Sequence, residues 1–438
     1  MMPIIAAFFA VAACLGATGS ADRASSSWLA MLPDGDAKRR FILDCTGCHQ
    51  FDERIAYTEG RPRTREEWTA AIARMLGYAG PNTSFPVISA ATNPDSTAVW
   101  LAANLHGEPG RPETGRTEAR AGITEYLFPA AQDLPHDMAI TDEGEIVVTG
   151  MFTHAMYVLD PSRADPARSS AWRSIPIPIS QANPRAVEIG RRGEWWVVLG
   201  GPNRLARYDG MSWESFEVGV YAHSVALDSN GGAWVNGHFT RAPEVVVEID
   251  RDGNRTDHEL PLHPSMAAQP GGPIPYELRA APDGSIWMSE LQGNRMIRLD
   301  PGTGAAKAFE LPTPLSGPRR HDVAPDGIVW IPAYAGGTLV RFDPRAEEFE
   351  EIPLPVKDAL PYVVRVDAKR DRVWVGTGAA DELFAYRPST RRWERYPLTS
   401  EGALVRHLAV DPQTGDVWLA YGESPGKVPA RIARVQVR

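Results

Sequence analysis

Cysteine is scarce in this chain of 438 residues: three occur, at 14, 45 and 48. One falls in an apolar leader and the other two sit three apart, which excludes a disulfide-stapled scaffold. Clustered positive charge is also missing. With 45 Lys and Arg against 55 Asp and Glu the formal net charge is −10, which argues against a nucleic-acid binder. No segment after the leader is long and apolar enough to span a bilayer. Abundance lies elsewhere, in 39 Gly, 38 Pro and 13 Trp, the composition of many turns and short strands. At 43% hydrophobic and 23% charged residues the chain is ordinary globular material, and its length points to more than one domain.

Residues 3–17 form an apolar run shorter than a membrane span, followed by Gly19-Ser20-Ala21 and polar sequence. This predicts an export signal over 1–21, although no Lys or Arg precedes the run. Val11-Ala12-Ala13-Cys14 resembles a bacterial lipobox, in which Cys14 would carry a lipid anchor. Cleavage after Ala21, discarding Cys14, is the other reading. Either one places the mature protein outside the cytoplasm, periplasmic or secreted.

Cys45-Thr46-Gly47-Cys48-His49 is a C-x-x-C-H motif, the attachment signal of c-type haem. Two thiols one helical turn apart add to the two vinyl groups, and the adjacent imidazole lies under the iron as proximal ligand. A zinc site would need a second pair of ligands, and the mature chain has no other cysteine. The expectation is one covalent haem c, with thioethers at Cys45 and Cys48 and iron ligated by His49.

The flanks agree. Ala37 to Leu43 is an amphipathic lead-in helix. Thr64 and Glu67 mark a capped start to a helix that runs through Ala71, Ile72 and Met75 and ends at Gly77. Ser96 to Leu105 is a third helix, with Trp100 and Leu101 on its buried side. These segments resemble a class I cytochrome c domain covering 34–107. Trp68 through Arg74-Met75 resembles the W-x-x-x-x-x-R-M pattern of haem domains in quinohaemoprotein amine dehydrogenases, which implies Met75 as distal iron ligand. Met31, His106 and an open sixth position are the alternatives. Arg54, Arg61, Arg63 and Arg65 either screen haem propionates or are solvated surface charge.

From residue 123 one pattern recurs: a Gly- or Asn-rich turn, then a hydrophobic strand ending in Val147, Trp196, Trp234, Trp287, Trp330, Trp374 and Trp418. The intervals are 49, 38, 53, 43, 44 and 44. Seven units with a period near forty predict an all-β, seven-bladed β-propeller over 123–438, preceded by the small all-α domain and a Gly/Pro/Arg/Glu-rich linker at 108–122. The seventh unit supplies only three strands before Arg438. Ile123 to Pro129 has the look of a fourth strand and is expected to complete the last blade.

Aligning the units at the innermost strand brings one position into register: His136, Arg185, His223, Tyr276, Arg319, Tyr362 and Arg406. Two places on stand Met138, Val187, Val225, Leu278, His321, Val364 and Leu408. Strand alternation puts both sets on one face, so the polar set is expected to ring the channel mouth and the mostly apolar set to lie deeper. With Glu277, His321 and His407 the ring forms a candidate ligand pocket, its arginines favouring a small anionic ligand.

The repeat, read as P-x-x-x-x-x-x-P-D-G-x-I-W-x-x-E from Pro275 to Glu290, resembles the virginiamycin B lyase (streptogramin lyase) family of seven-bladed propellers. That resemblance implies a metal-assisted elimination at the channel mouth, with Pro-His at the inner strands of the last two blades and a Glu two before the final His. Here those places hold Pro361-Tyr362 and Leu404-Val405-Arg406, so no catalytic residue carries over. The main expectation is an exported mono-haem cytochrome fused to a ligand-binding propeller, exchanging electrons with a periplasmic donor or acceptor. A lyase using a divalent metal, with Glu277 or Glu290 as carboxylate and His321 or His407 as base, and a non-enzymatic scaffold or sensor are the alternatives.

Overall fold

Each repeat folds as one four-stranded antiparallel sheet, and seven such sheets are present. Their inner strands contact one another in cyclic order, the last against the first, around a central channel. The computed structural model describes residues 24–83, 85–90, 92–110, 120–163, 171–239, 243–264, 273–423 and 429–437. The expected leader over 1–21, the anchor at Cys14 and most of the 108–122 linker lie outside the described residues.

The hairpin between first and second strands turns on a positive-φ glycine in every blade but the sixth. In blade four Gly284 takes φ +85, a conformation that glycine reaches without strain. It lets Ala281 N–H reach the Ser285 carbonyl at 2.8 Å. Every second strand is buried along its length, for example Ile286–Glu290 and Val417–Tyr421, with only Arg372 of blade six partly exposed. The indoles of Trp196, Trp234, Trp287 and Trp374 are almost wholly buried. Trp234 of blade three packs with Leu278 and Ile286 of blade four, so the cores lie between neighbouring blades. Truncating one such indole costs about 3–5 kcal/mol. The ring closes as expected: Ala121–Leu127 pairs antiparallel with Arg431–Val437, Ile123 opposite Val435. This covers the edge that the seventh sheet would otherwise expose.

The apolar half of the inner-strand pattern is not in the channel. Met138, Val187, Val225, Leu278, Val364 and Leu408 pack instead in six different hydrophobic clusters of the blades. Six inner strands carry a register shift just after the ring position, as between Pro135 and Met138 and between Pro275 and Leu278. A bulge inserts one residue and reverses the faces beyond it, which brings Asp137, Glu277 and His407 inward. Blade five departs further. Its inner strand is reduced to Asp322–Val323, and Arg320 pairs in parallel with Val363 of blade six, with Val364 N–H on the Arg320 carbonyl at 2.8 Å.

Among the described residues before the propeller are five helices: α1 Ser25–Ala30, α2 Asp36–Cys45, α3 Glu53–Ala56, α4 Arg65–Ala79 and α5 Pro94–Asn104. The capping box of α4 is formed, with Thr64 accepting from Glu67 N–H and Glu67 accepting from Thr64 N–H. The helix continues two residues past Gly77, because glycine inside a helix only weakens it. Leu101 is fully buried, whereas Trp100 is half-buried. Helical Trp28, Phe41 and Leu101 share one hydrophobic cluster with propeller residues Leu291, Tyr334 and Leu404. Ser26 N–H also bonds the Ala379 carbonyl at 2.8 Å.

Candidate functional site at the channel mouth

The last residue of α2 is Cys45, and the chain leaves that helix directly over the propeller channel. Thr46 seals the exit by donating its hydroxyl to the Ile42 carbonyl at 2.8 Å. Tyr334 of blade five sits 2.9 Å from both the Thr46 hydroxyl and its carbonyl. Arg406 of blade seven then grips the loop: Nη1 donates to the Gly47 carbonyl at 3.2 Å, Nη2 to the Cys48 carbonyl at 2.6 Å, and Nε to the Gly422 carbonyl at 3.0 Å. Gln50 N–H donates to Glu423 Oε1 at 2.8 Å, and the Gln50 amide reaches Asp381 at 3.1 Å.

Gly47 packs closely on Arg319: a Cβ at that position would stand 2.8 Å from Arg319 Nη2, so a larger residue would displace the guanidinium. The Arg319 guanidinium is 3% exposed, and its Nε and Nη1 make no hydrogen bond among the described residues. Its charge is met by three phenol rings, Tyr334 at 3.9 Å, Tyr362 at 4.2 Å and Tyr276 at 5.0 Å, an arrangement that stabilises a desolvated cation. Tyr276 and Tyr362 share a short hydrogen bond, 2.5 Å between oxygens. Burial pushes the Tyr276 phenol up. At Tyr362 burial works the same way, but Arg319, Arg406 and Arg320 outweigh it and hold the phenol below its ordinary value.

Cys45 is half-buried and Cys48 exposed, and both thiols are free. Burial, then the Asp44 carboxylate, pushes the Cys45 thiol up, so it stays neutral. His49 Nδ1 lies 3.0 Å from the Gln50 carbonyl. A carbonyl only accepts, so Nδ1 carries the proton and the lone pair is left on Nε2, the tautomer of an iron-binding imidazole. Met75 projects from α4 and is 41% exposed, so its thioether is not consumed by the core. These residues fit a covalent haem.

All seven ring positions are buried. His136 Nδ1 bonds the Arg185 carbonyl of the next blade at 2.7 Å, and His223 Nδ1 bonds the Tyr276 carbonyl at 2.7 Å, so part of the ring is a belt that ties blade to blade. Arg185 donates to Asn183 and to the Tyr221 hydroxyl. Tyr276, Arg319, Tyr362 and Arg406 form the side of the ring that meets the loop. His238, which the alignment missed, stacks on His223 at 4.1 Å. Phe85 packs near both His238 and Phe239.

Beneath the ring the channel is filled by charge. Arg320 pairs with Asp137 at 2.6 Å and with Glu277 at 3.3 Å. Arg365 reaches Glu277 at 3.1 Å and donates to His407 Nε2 at 2.6 Å, and Arg279 joins Glu277 at 3.1 Å to Glu188 at 2.6 Å. Burial raises Asp137 to about 7 against the pull of Arg320. His321 is fully buried, and burial drives its pKa to about 3 although Glu277 opposes it. Glu290 is elsewhere, paired with Arg295 at 2.5 Å. Of the sequence-derived pocket, Glu277 and His407 therefore belong to this plug. Asp137, Arg365, Arg279 and Glu188 escaped notice because the bulge hides their facing, and Arg320 because its course follows the parallel bridge to Val363. Among the described residues no group of three or more His, Cys, Asp or Glu gathers where it could hold a metal ion.

Comparison with known proteins adds the following. The model of the Virginiamycin B lyase family matches residues 167–429. A virginiamycin B lyase from Nocardia farcinica (strain IFM 10152) is 29% identical over 145 residues, 33% of this chain and 46% of the relative, so the alignment spans about half the length of that curated relative. The crystal structure of selenomethionine-substituted virginiamycin B lyase from Staphylococcus aureus superposes with a TM-score of 0.62 at 19% identity, covering 73% of this chain and 100% of that one. Kuenenia stuttgartiensis hydrazine synthase gives 0.53 at 12%, covering 75% and 100%. At these identities the structural likenesses concern the fold.

Proposed function

Because this chain belongs to the virginiamycin B lyase family and seats a Cys-x-x-Cys-His loop on its channel mouth, we propose that it is an exported c-type redox protein. In this reading one covalent haem on Cys45 and Cys48 exchanges electrons with a periplasmic partner, and the propeller supplies the ligand-binding side. The observation that carries it is the His49 ring, fixed through Nδ1 on Gln50 with Nε2 left as the ligating atom. Bound there, the haem supplies one-electron chemistry.

The chain's own residues do the positioning. Arg406, Tyr334 and Glu423 hold the loop backbone on blades seven and five, so the attachment point cannot drift from the ring. Met75 on α4 would supply a thioether as a further iron ligand. Arg319 and Arg406 are buried and committed to the phenols and the loop carbonyls, so they hold the joint instead of facing solvent.

Expression of the full chain with a cytochrome c maturation system tests the reading. The expected outcome is a covalent mass increase of one haem and a reduced-minus-oxidised haem c spectrum, both abolished in the Cys45→Ala/Cys48→Ala variant. His49→Ala is expected to keep the mass and alter the spectrum, and Met75→Ala to remove thioether-to-iron absorption. Colourless, exported protein of unmodified mass would overturn it.

A carbon–oxygen lyase is the second reading, favoured by the family match over 167–429. It would draw on Glu277 and His407 beneath the ring, which the plug arginines already hold and which, among the described residues, form no group able to bind the divalent metal. Incubating the same preparation with a divalent metal and quinupristin, the compound present in a solved structure of catalytically inactive virginiamycin B lyase from Staphylococcus aureus, separates the two: a new unsaturated product formed without change in the haem spectrum favours the lyase.

A further inference from the structure

One cavity lies away from the loop. It opens at the other end of the channel, with a volume of about 740 Å³, within the range of sites for small organic ligands. Its walls are the C-terminal ends of the inner strands of blades two to five and the turns that follow them. The floor is the outer end of the charge plug, Glu188, Arg279 and Asp322.

The charges around this cavity are not equally committed. Each of its carboxylates is already answered from within the chain. Glu188 accepts from Arg279 at 2.6 Å, and Asp322 from Val366 N–H at 2.8 Å. Asp228 accepts from Gly232 N–H at 2.9 Å and from the Trp234 indole at 2.8 Å, and Glu194 from Arg192 N–H at 3.0 Å. Of the cations at the rim, Arg207 is taken by Glu214, and the others are free by contrast. The guanidiniums of Arg191 and Arg192 make no hydrogen bond or ion pair among the described residues, and Arg251 approaches only its neighbour Asp252, at 4.0 Å. Between rim and floor the wall is apolar, from Leu227, Ala281 and Val323.

We propose that this far mouth binds a small organic anion, its charged group held by Arg191, Arg192 and Arg251 and its apolar body lying against Leu227, Ala281 and Val323. Free guanidiniums above an apolar wall select a carboxylate or phosphate carried on a hydrophobic frame, because the bidentate fork answers the charge and the wall answers the rest. The inference is independent of the haem reading: none of these residues touches the C-x-x-C-H loop.

The test is isothermal titration of the full-length protein with naphthoate, naphthyl phosphate and neutral naphthalenemethanol. Both anions are expected to bind saturably at one site per chain, weakening with salt, and the alcohol to bind at least about tenfold more weakly. Arg191→Glu/Arg192→Glu is expected to weaken naphthoate about tenfold or more, and Ala281→Trp to abolish binding by filling the cavity. These positions are partly or wholly exposed, and unchanged thermal unfolding of the variants establishes that they fold. Binding of one anion alone identifies which charged group the rim takes. Absence of saturable binding by either anion, equal affinity for the alcohol, or unchanged affinity in both variants would overturn the proposal.

Discussion

At the loop end of the channel Arg406 spends its donors on three backbone carbonyls, and Arg319 is wrapped by three phenols. At the far end Arg191 and Arg192 reach into solvent with nothing to hold. The same inner strands build both ends, so the contrast is one of burial. A desolvated charge costs several kcal/mol unless it is answered, and every cation under the helical segment is answered. A solvated guanidinium has no such debt and stays available to an incoming anion. One end of the propeller is therefore built as a joint and the other as a receptor.

The sharpest way to break this contrast is to remove the centre of the plug between the two ends. Arg320 is 1% exposed and compensates Asp137 and Glu277. Arg320→Ala leaves two buried carboxylates facing each other and is expected to cost about 3–5 kcal/mol in denaturant unfolding. Arg320→Met combined with Asp137→Asn and Glu277→Gln should recover most of it. A loss below about 1 kcal/mol would mean that water already reaches the plug and that the two ends are not separated.

A smaller effect is expected at the joint itself. Arg406→Ala deletes the charged donors to Gly47 and Cys48, worth about 1.5–3 kcal/mol in all, and should speed hydrogen exchange of the amides at 45–50. Arg191→Ala, at the solvated end, should change stability by less than about 0.5 kcal/mol. Equal losses at the two positions would erase the distinction between joint and receptor.

How much of this was readable beforehand follows from the same physics. The seven repeats, the closing strand and the α4 cap all announce themselves through short-range pattern: glycine turns, Trp near the start of the strand that follows, Thr64 three before Glu67. The ring residues were legible for the same reason, since each follows directly on the start of an inner strand. Legibility ended at the bulge. Counting by twos from His136 leads to Met138, whereas the chain inserts Asp137 into the channel, and no residue type marks that insertion. Arg320 was less readable still, because its inward course depends on a parallel bridge to Val363 that only the assembled ring creates. The seat of the C-x-x-C-H loop on Arg406 and Tyr334 joins positions more than 280 residues apart, a distance across which sequence pattern carries no signal.

The contrast also extends outward along the loop face, to an acid pair away from the channel. Glu290 lies opposite Pro275 at the ring end of its strand. It takes both donors of Arg295, while Glu244, equally buried, stands 3.9 Å from that guanidinium. Burial, reinforced by the Glu290 charge, raises Glu244 from 4.5 to about 9. Between those values the folded chain keeps a proton that the unfolded chain releases, so stability on this account falls as pH rises through the window and the loss is complete above about 9. Glu244→Gln carries the proton's shape without the titration. The wild type is expected to lose stability relative to that variant by up to about 1.4 kcal/mol per pH unit, read as the difference between their unfolding midpoints at about pH 6 and about pH 8.5. Asp137, raised to about 7, titrates in both proteins and cancels in that difference. Parallel midpoints would show that Glu244 is solvated when folded, and the dry character of the loop face would then end at the channel.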